Sequence, residues 1–188
     1  MHNFLEILRR QFPISNKDWE AFYNCLEVRT FSKKDIILQS GKVENYLYFI
    51  ENGIIRIFAE RNEKEITTAF GFRKSFFSSY TSFLTREPSC YNVQAITDVS
   101  IWGITYNKLQ RIYTETQCGQ LFGRLAAEEL FIKKSQRELS LLELSAEERY
   151  LQLLKDHTEL IQYIPLQYLA SYIGITPQAL SRIRKRIS

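Results

Sequence analysis

The chain has 188 residues, 45% hydrophobic and 24% charged, with a formal net charge of +4, a balance that suits a globular protein with a buried core and excludes a disordered or fibrous one. No apolar run reaches the ~18–20 residues needed to cross a bilayer. The start, Met1-His2-Asn3-Phe4-Leu5-Glu6, lacks the basic opening and apolar stretch of a signal peptide, so a cytoplasmic protein is expected, away from membranes.

In chain order, apolar residues first recur at helical spacing. Phe4, Leu5, Leu8 and Phe12 predict a helix over 3–12, and Trp19, Phe22, Tyr23 and Leu26 a second over 16–27. From Val28 to Thr105, β-branched and aromatic runs alternate with turn residues, which predicts strands over 35–39, 46–51, 54–60, 65–72, 91–97 and 99–105. Glu51-Asn52-Gly53 reads as a hairpin turn between two of them, because Asn and Gly tolerate positive φ. Short strands at such spacing predict an antiparallel roll or barrel.

Beyond Tyr106 the strand pattern ends. A short helix is expected over 107–113, and a long one over 117–144. Leu121, Leu125, Ile132, Leu139 and Leu142 lie near one face of the long helix, interrupted by Glu128 and Ser135. That seam suits a dimer helix, or a stripe packed on the chain's own roll. Ser145-Ala146-Glu147-Glu148 forms a capping box that starts a further helix and marks a boundary. The expected division is a roll over 1–116, a dimerisation helix over 117–144 and a small helical domain over 145–188.

The excess charge is confined to the end. Pro165 to Ser188 contains no Asp or Glu but carries Arg182, Arg184, Lys185 and Arg186, while the rest of the chain balances at 21 basic and 21 acidic residues. A basic patch localised this way suits phosphate binding. The same stretch reads as two helices and a turn. Pro165 opens the first, whose face is Leu166, Leu169, Ala170 and Ile173. Gly174 fits a left-handed cap. Thr176 caps the second helix, Pro177 takes its first position, and Leu180, Ile183 and Ile187 form its inner face. This is the helix-turn-helix pattern, with the small Ala170 letting the helices cross closely. By position, Gln178 and Arg182 are the base readers, able to pair with adenine and guanine. Thr176, Ser181, Arg184, Lys185 and Arg186 complete the DNA-binding set, the last four through phosphate contacts.

With roll, long helix and helix-turn-helix in this order, the chain resembles the Crp/Fnr family of transcriptional regulators over nearly its whole length. Gly41-Lys-Val-Glu-Asn-Tyr-Leu-Tyr-Phe-Ile-Glu-Asn-Gly53 is similar to the family's run between two glycines, and Gly174-Ile-Thr-Pro-Gln-Ala-Leu-Ser-Arg-Ile183 is similar to the subgroup common in Bacteroidetes. The resemblance implies an α+β fold: an N-terminal antiparallel β-roll of the double-stranded β-helix or jelly-roll type with flanking helices, then a dimerisation helix and a C-terminal helix-turn-helix. It implies a homodimer on a palindromic double-stranded operator, with RNA polymerase a candidate partner. Members that bind cyclic AMP carry Gly-Glu and, about ten residues later, Arg-Ser. Here those slots hold Ser78-Ser79 and Ser89-Cys90, which become the effector-pocket candidates. Without the arginine fork, tight cyclic AMP binding is not expected. Arg73, Lys74 and Arg86 lie nearby in sequence but outside the slots. The effector is then a different small molecule, or none is needed. The family's β-hairpin wing would follow the recognition helix, on which this sequence ends, so a helix-turn-helix lacking a full wing and lower intrinsic DNA affinity are expected.

Other chemistry finds little support. Cys25, Cys90 and Cys118 are odd in number and scattered, so reduced cysteines are expected, with Cys90 a redox candidate by its slot. The two histidines, His2 and His157, lie outside the roll, which argues against haem, a cupin-type metal centre and catalysis. The alternative to a DNA-binding regulator is a ligand-sensing or protein-interaction module whose helix-turn-helix has lost DNA binding.

Overall fold

A computed structural model describes residues 15–158 and 161–187, apart from the side chains of Gln117 and Cys118. The helix expected over 3–12 lies outside these residues.

Helix α1 (Asn16–Tyr23) starts where the Ser15 hydroxyl accepts the Asp18 N–H at 3.1 Å. It ends earlier than its apolar spacing suggested. The chain turns extended to form β1 (Glu27–Phe31), which pairs with a strand about seventy residues later, and that pairing overrides local helical periodicity. The strands that follow are β2 (Ile36–Leu38), β3 (Tyr46–Asn52), β4 (Ile55–Arg61), β5 (Lys64–Gly71) and β6 (Phe76–Phe77). After the short helix α2 (Tyr80–Thr85) come β7 (Asn92–Ala95) and β8 (Val99–Thr105).

The strands make two four-stranded sheets, ordered β1-β8-β3-β6 and β2-β7-β4-β5, with antiparallel pairs throughout. The expected antiparallel roll is present, but its hairpin is elsewhere. β3 and β4 belong to different sheets, so Asn52-Gly53 carries the chain across the roll. Gly53 sits at φ +97°, and a Cβ there would meet the Asp98 carbonyl at 2.5 Å. The hairpin joins β4 to β5 through Asn62 and Glu63, both at positive φ (50° and 62°), as a tight primed turn requires.

Alternation in β3 explains its nearly unbroken apolar run. Tyr48 and Ile50 face the interior between the sheets, beside Ile55, Phe77, Val93 and Ile101. Leu47 and Phe49 face outward, where helices cover them with Phe22, Phe83, Leu109, Ile112, Phe122 and Ala126. Those covering elements include α3 (Tyr106–Glu115) and α4 (Gln117–Glu143), each capped by a threonine: Thr105 on the Lys108 N–H and Thr116 on the Gly119 N–H.

Only the first half of α4 is used this way. Phe122 and Ala126 are buried on the roll, but further along Phe131, Ile132, Leu139, Leu141 and Leu142 stand exposed, Leu142 at 78%. α4 stops at Leu144, whose extended backbone leads to Ser145 and the capping box of α5 (Ala146–His157). A short 3-10 turn (Ile161–Tyr163) then leads to α6 (Leu166–Ile173) and α7 (Pro177–Ile187).

Candidate DNA-binding head and effector cassette

The head is set by its turn. Gly174, at φ +86°, closes α6 by donating its N–H to the Ala170 and Ser171 carbonyls, and Ile175 donates back to Ala170 at 3.0 Å. Thr176 Oγ1 accepts the Ala179 N–H at 3.2 Å, and Pro177 opens α7. Leu169, Ala170, Ile173 and Leu180 are buried together, which locks the helices at a close crossing.

On the opposite side of α7, Gln178, Ser181, Arg182 and Lys185 fall three and four residues apart and share a face. Gln178, Arg182 and Lys185 are exposed and Ser181 is half-buried. Thr176, Arg184 and Arg186 are exposed as well, but Arg186 is ion-paired with Glu147 at the start of α5. The sequence-predicted face therefore exists as a surface, with Arg186 engaged within the chain.

Two arginines that sequence reading passed over tie this head to the long helix. Arg149 of α5 donates to the Ile173 carbonyl at 2.9 Å and to the Leu144 carbonyl, while Arg137 of α4 donates to the Tyr172 carbonyl and lies 3.8 Å over the Tyr172 ring. Cations at carbonyl-rich helix ends are favourably placed, so α4 and α6 are clamped end to end. Burial pushes Arg137 below its usual pKa.

In the roll, the two cassette slots come together. Ser79 Oγ and Ser89 Oγ lie 2.8 Å apart, both residues buried, and Ser89 Oγ also bonds the Tyr91 backbone. Ser78, buried, donates to the Tyr46 carbonyl at 3.0 Å. Cys90 is exposed, so it does not join the buried serines. Arg86 is committed to the Glu44 and Phe83 carbonyls and to the Asn45 side chain, at 2.8, 3.1 and 2.6 Å. What stands beside the cassette is an acid: Glu44 is 2% exposed, Oε1 accepts the Tyr46 N–H at 3.0 Å, and Oε2 makes no hydrogen bond of normal geometry among the described residues. Burial raises its pKa to about 6, against the pull of the Tyr46, Ser79 and Asn45 N–H groups and of Arg29. Arg29 donates to the Tyr48 hydroxyl at 2.8 Å, and Tyr48 stacks between Tyr46 and Phe77, centroids 5.3 and 4.9 Å away. Burial drives the Tyr48 hydroxyl far above its usual pKa. Glu44 carries no motif signature, although a lone acid before an apolar strand was a visible irregularity.

Among the described residues no cluster of His, Cys, Asp or Glu could hold a metal, and no helix is long and apolar enough to cross a membrane. An open depression of about 370 Å³ lies at one end of the roll, beside Phe31, Asp35, Asn52 and Asp98, with both aspartates accepting backbone N–H groups.

Residues 28–116 match the cyclic nucleotide-binding domain family. No curated protein matches the sequence. Among solved structures, the c-di-GMP responsive global regulator CLP of Xanthomonas campestris is similar at 16% identity and a TM-score of 0.69, over 92% of this chain and 91% of its own. FixK2 of Bradyrhizobium japonicum is similar at 17% identity and a TM-score of 0.72, over 86% and 84%. A putative regulator of the Crp/Fnr family from Eubacterium rectale is similar at 16% and 0.72, over 95% and 87%. The chain thus carries a domain of the cyclic nucleotide-binding family within the fold shared by Crp/Fnr transcriptional regulators.

Proposed function

We propose that this chain is a DNA-binding transcriptional regulator of the Crp/Fnr type, without enzymatic activity, acting in the cytoplasm as a homodimer on a palindromic operator. The observation that carries the reading is the α7 face: Gln178, Ser181, Arg182 and Lys185 side by side on a helix with no acid, presented by a turn built as in DNA-reading helices. Gln178 and Arg182 read bases, and Ser181, Arg184 and Lys185 bind phosphates, joined by Arg186 once it leaves Glu147. The exposed row Ile132, Leu139 and Leu142, with Phe131 beside it, supports pairing through the outer half of α4. Two copies of α7 would then enter successive major grooves about 34 Å apart, with RNA polymerase as the downstream partner.

The cassette residues do not fit a cyclic nucleotide. Two small hydroxyls satisfy one another where a carboxylate and a guanidinium would be needed, and the nearest buried charge, Glu44, has the sign of a phosphate. We read the effector as something other than cyclic AMP, or the protein as competent without one. The function is tested by salt-dependent binding to DNA. A regulator loses affinity steeply as salt rises, because each neutralised phosphate releases counterions, whereas a protein-interaction module shows no such slope.

A further inference from the structure

On β4, side chains alternate. Ile55 points into the roll and is fully buried, so Arg56 beside it points out, where an arginine belongs in water. It is nonetheless 0% exposed. The helix-turn-helix covers it: the guanidinium lies 3.4 Å from the Tyr168 ring of α6 and 3.9 Å from the Phe58 ring of its own strand. Nη2 reaches Glu65 at 2.7 Å and Gln94 at 3.0 Å, but Nε and Nη1 are buried without hydrogen-bond partners among the described residues. Around this point α6 is spliced to the open edge of the sheet. Ser171 Oγ accepts the Thr67 N–H and donates to the Glu65 carbonyl, both at 2.9 Å, taking the place of a neighbouring strand. Phe70 packs on Tyr172, centroids 5.1 Å apart, and Phe72 on His157 at 3.7 Å.

These contacts pull against one another. Ring packing and the Ser171 splice favour docking, while docking strips water from a cation and leaves two of its nitrogens unsatisfied. Undocking rehydrates Arg56, and Glu65, whose side chain is 45% exposed, remains available to it. The reading face of α7 is exposed in the docked state, so docking fixes the orientation of that face without covering it.

We propose that Arg56 is a release latch: a positioning residue in the roll whose dehydration holds the docked and released states of the helix-turn-helix close in free energy, the docked state being the one that reads DNA. The consequence for DNA rests on the proposed function; the latch does not. A signal reaching β4, β5 or β7 then needs to shift only Arg56, Glu65 or Gln94 to change how α7 is aimed.

The test is hydrogen exchange on the full chain with Ser171→Ala, Tyr168→Leu and Arg56→Met, together with binding to a DNA site selected by the parent protein. Ser171→Ala and Tyr168→Leu are each expected to shift the equilibrium about tenfold toward release, which from states of similar free energy speeds amide exchange about threefold across 166–187 while β3 and β8 stay unchanged. They should also weaken specific DNA binding about threefold, as the competent fraction falls. Arg56→Met, which keeps an apolar stem without the buried charge, should do the reverse: slower exchange across 166–187 and tighter DNA binding. Exchange rising uniformly over the chain, or Arg56→Met loosening the head as Tyr168→Leu does, overturns the latch and makes Arg56 an ordinary packing residue. A parent that binds no DNA at any salt, with the exchange pattern intact, overturns the DNA reading and leaves the latch standing.

Discussion

The hydroxyls of Ser79 and Ser89 meet at 2.8 Å beside the start of α2, in the positions that the family resemblance assigns to the acid and the arginine of a cyclic AMP site. Their bond gives the cassette an internally satisfied, uncharged pair. Thermal unfolding with millimolar cyclic AMP is therefore expected to show no shift. A ligand present at a hundredfold its Kd would add about 2.7 kcal/mol and raise Tm by roughly 5–10 °C. A rise of that size would contradict the account of the cassette.

Glu44 gives the roll a pH signature. Its folded value of about 6 lies above its usual 4.5, so the folded state holds the proton more tightly. The resulting stability is fully present below pH 4.5 and is lost as pH rises through 6, about 2 kcal/mol in all. Glu44→Gln cannot ionise, so its stability relative to the parent should increase between pH 4.5 and pH 7. Parallel urea titrations check this. A pH-independent difference between the two proteins would show that Glu44 keeps an ordinary pKa.

The outer half of α4 should carry the dimer. Each leucine hidden there is worth about 1.5–3 kcal/mol. Leu139→Glu with Leu142→Glu is expected to convert dimer to monomer in sedimentation while far-ultraviolet circular dichroism of the roll is retained. Retention of the dimer in that variant would place its interface elsewhere.

The ion pair between Arg186 and Glu147 engages a cation of the proposed DNA-binding face. Glu147→Gln should strengthen DNA binding several-fold and steepen its salt dependence by about one unit per reading head. An unchanged slope would mean that Arg186 does not reach a phosphate.

Much of this architecture was legible because its signals are local. The Ser145–Glu148 capping box, the Gly174 turn, the Thr176 cap and the onset of α4 depend on neighbours within four residues, and all appear where the sequence puts them. The errors came from long-range pairing. Asn52-Gly53 has the turn chemistry of a hairpin, but β3 finds its partner in β8, about fifty residues on, and the hairpin falls to Asn62-Glu63. β1 was not among the predicted strands for the same reason, only Glu27 falling within the helix expected over 16–27, and β6, with two residues, is too short for alternation to register. In the sites, α7 carried its own signal. The contacts of Arg56, Arg137 and Arg149 did not, since each depends on an element distant in sequence coming to lie against it.

The central claim is that α7 reads DNA, and the most direct test is selection from random duplex fragments at low and moderate salt, with the parent and Arg182→Ala in parallel. The account predicts recovery of a palindromic site by the parent. Arg182→Ala should weaken binding by roughly 1–3 kcal/mol and relax one base position, whereas Lys185→Ala weakens all sequences alike. Parent and Arg182→Ala recovering the same sequences with the same affinity would contradict it.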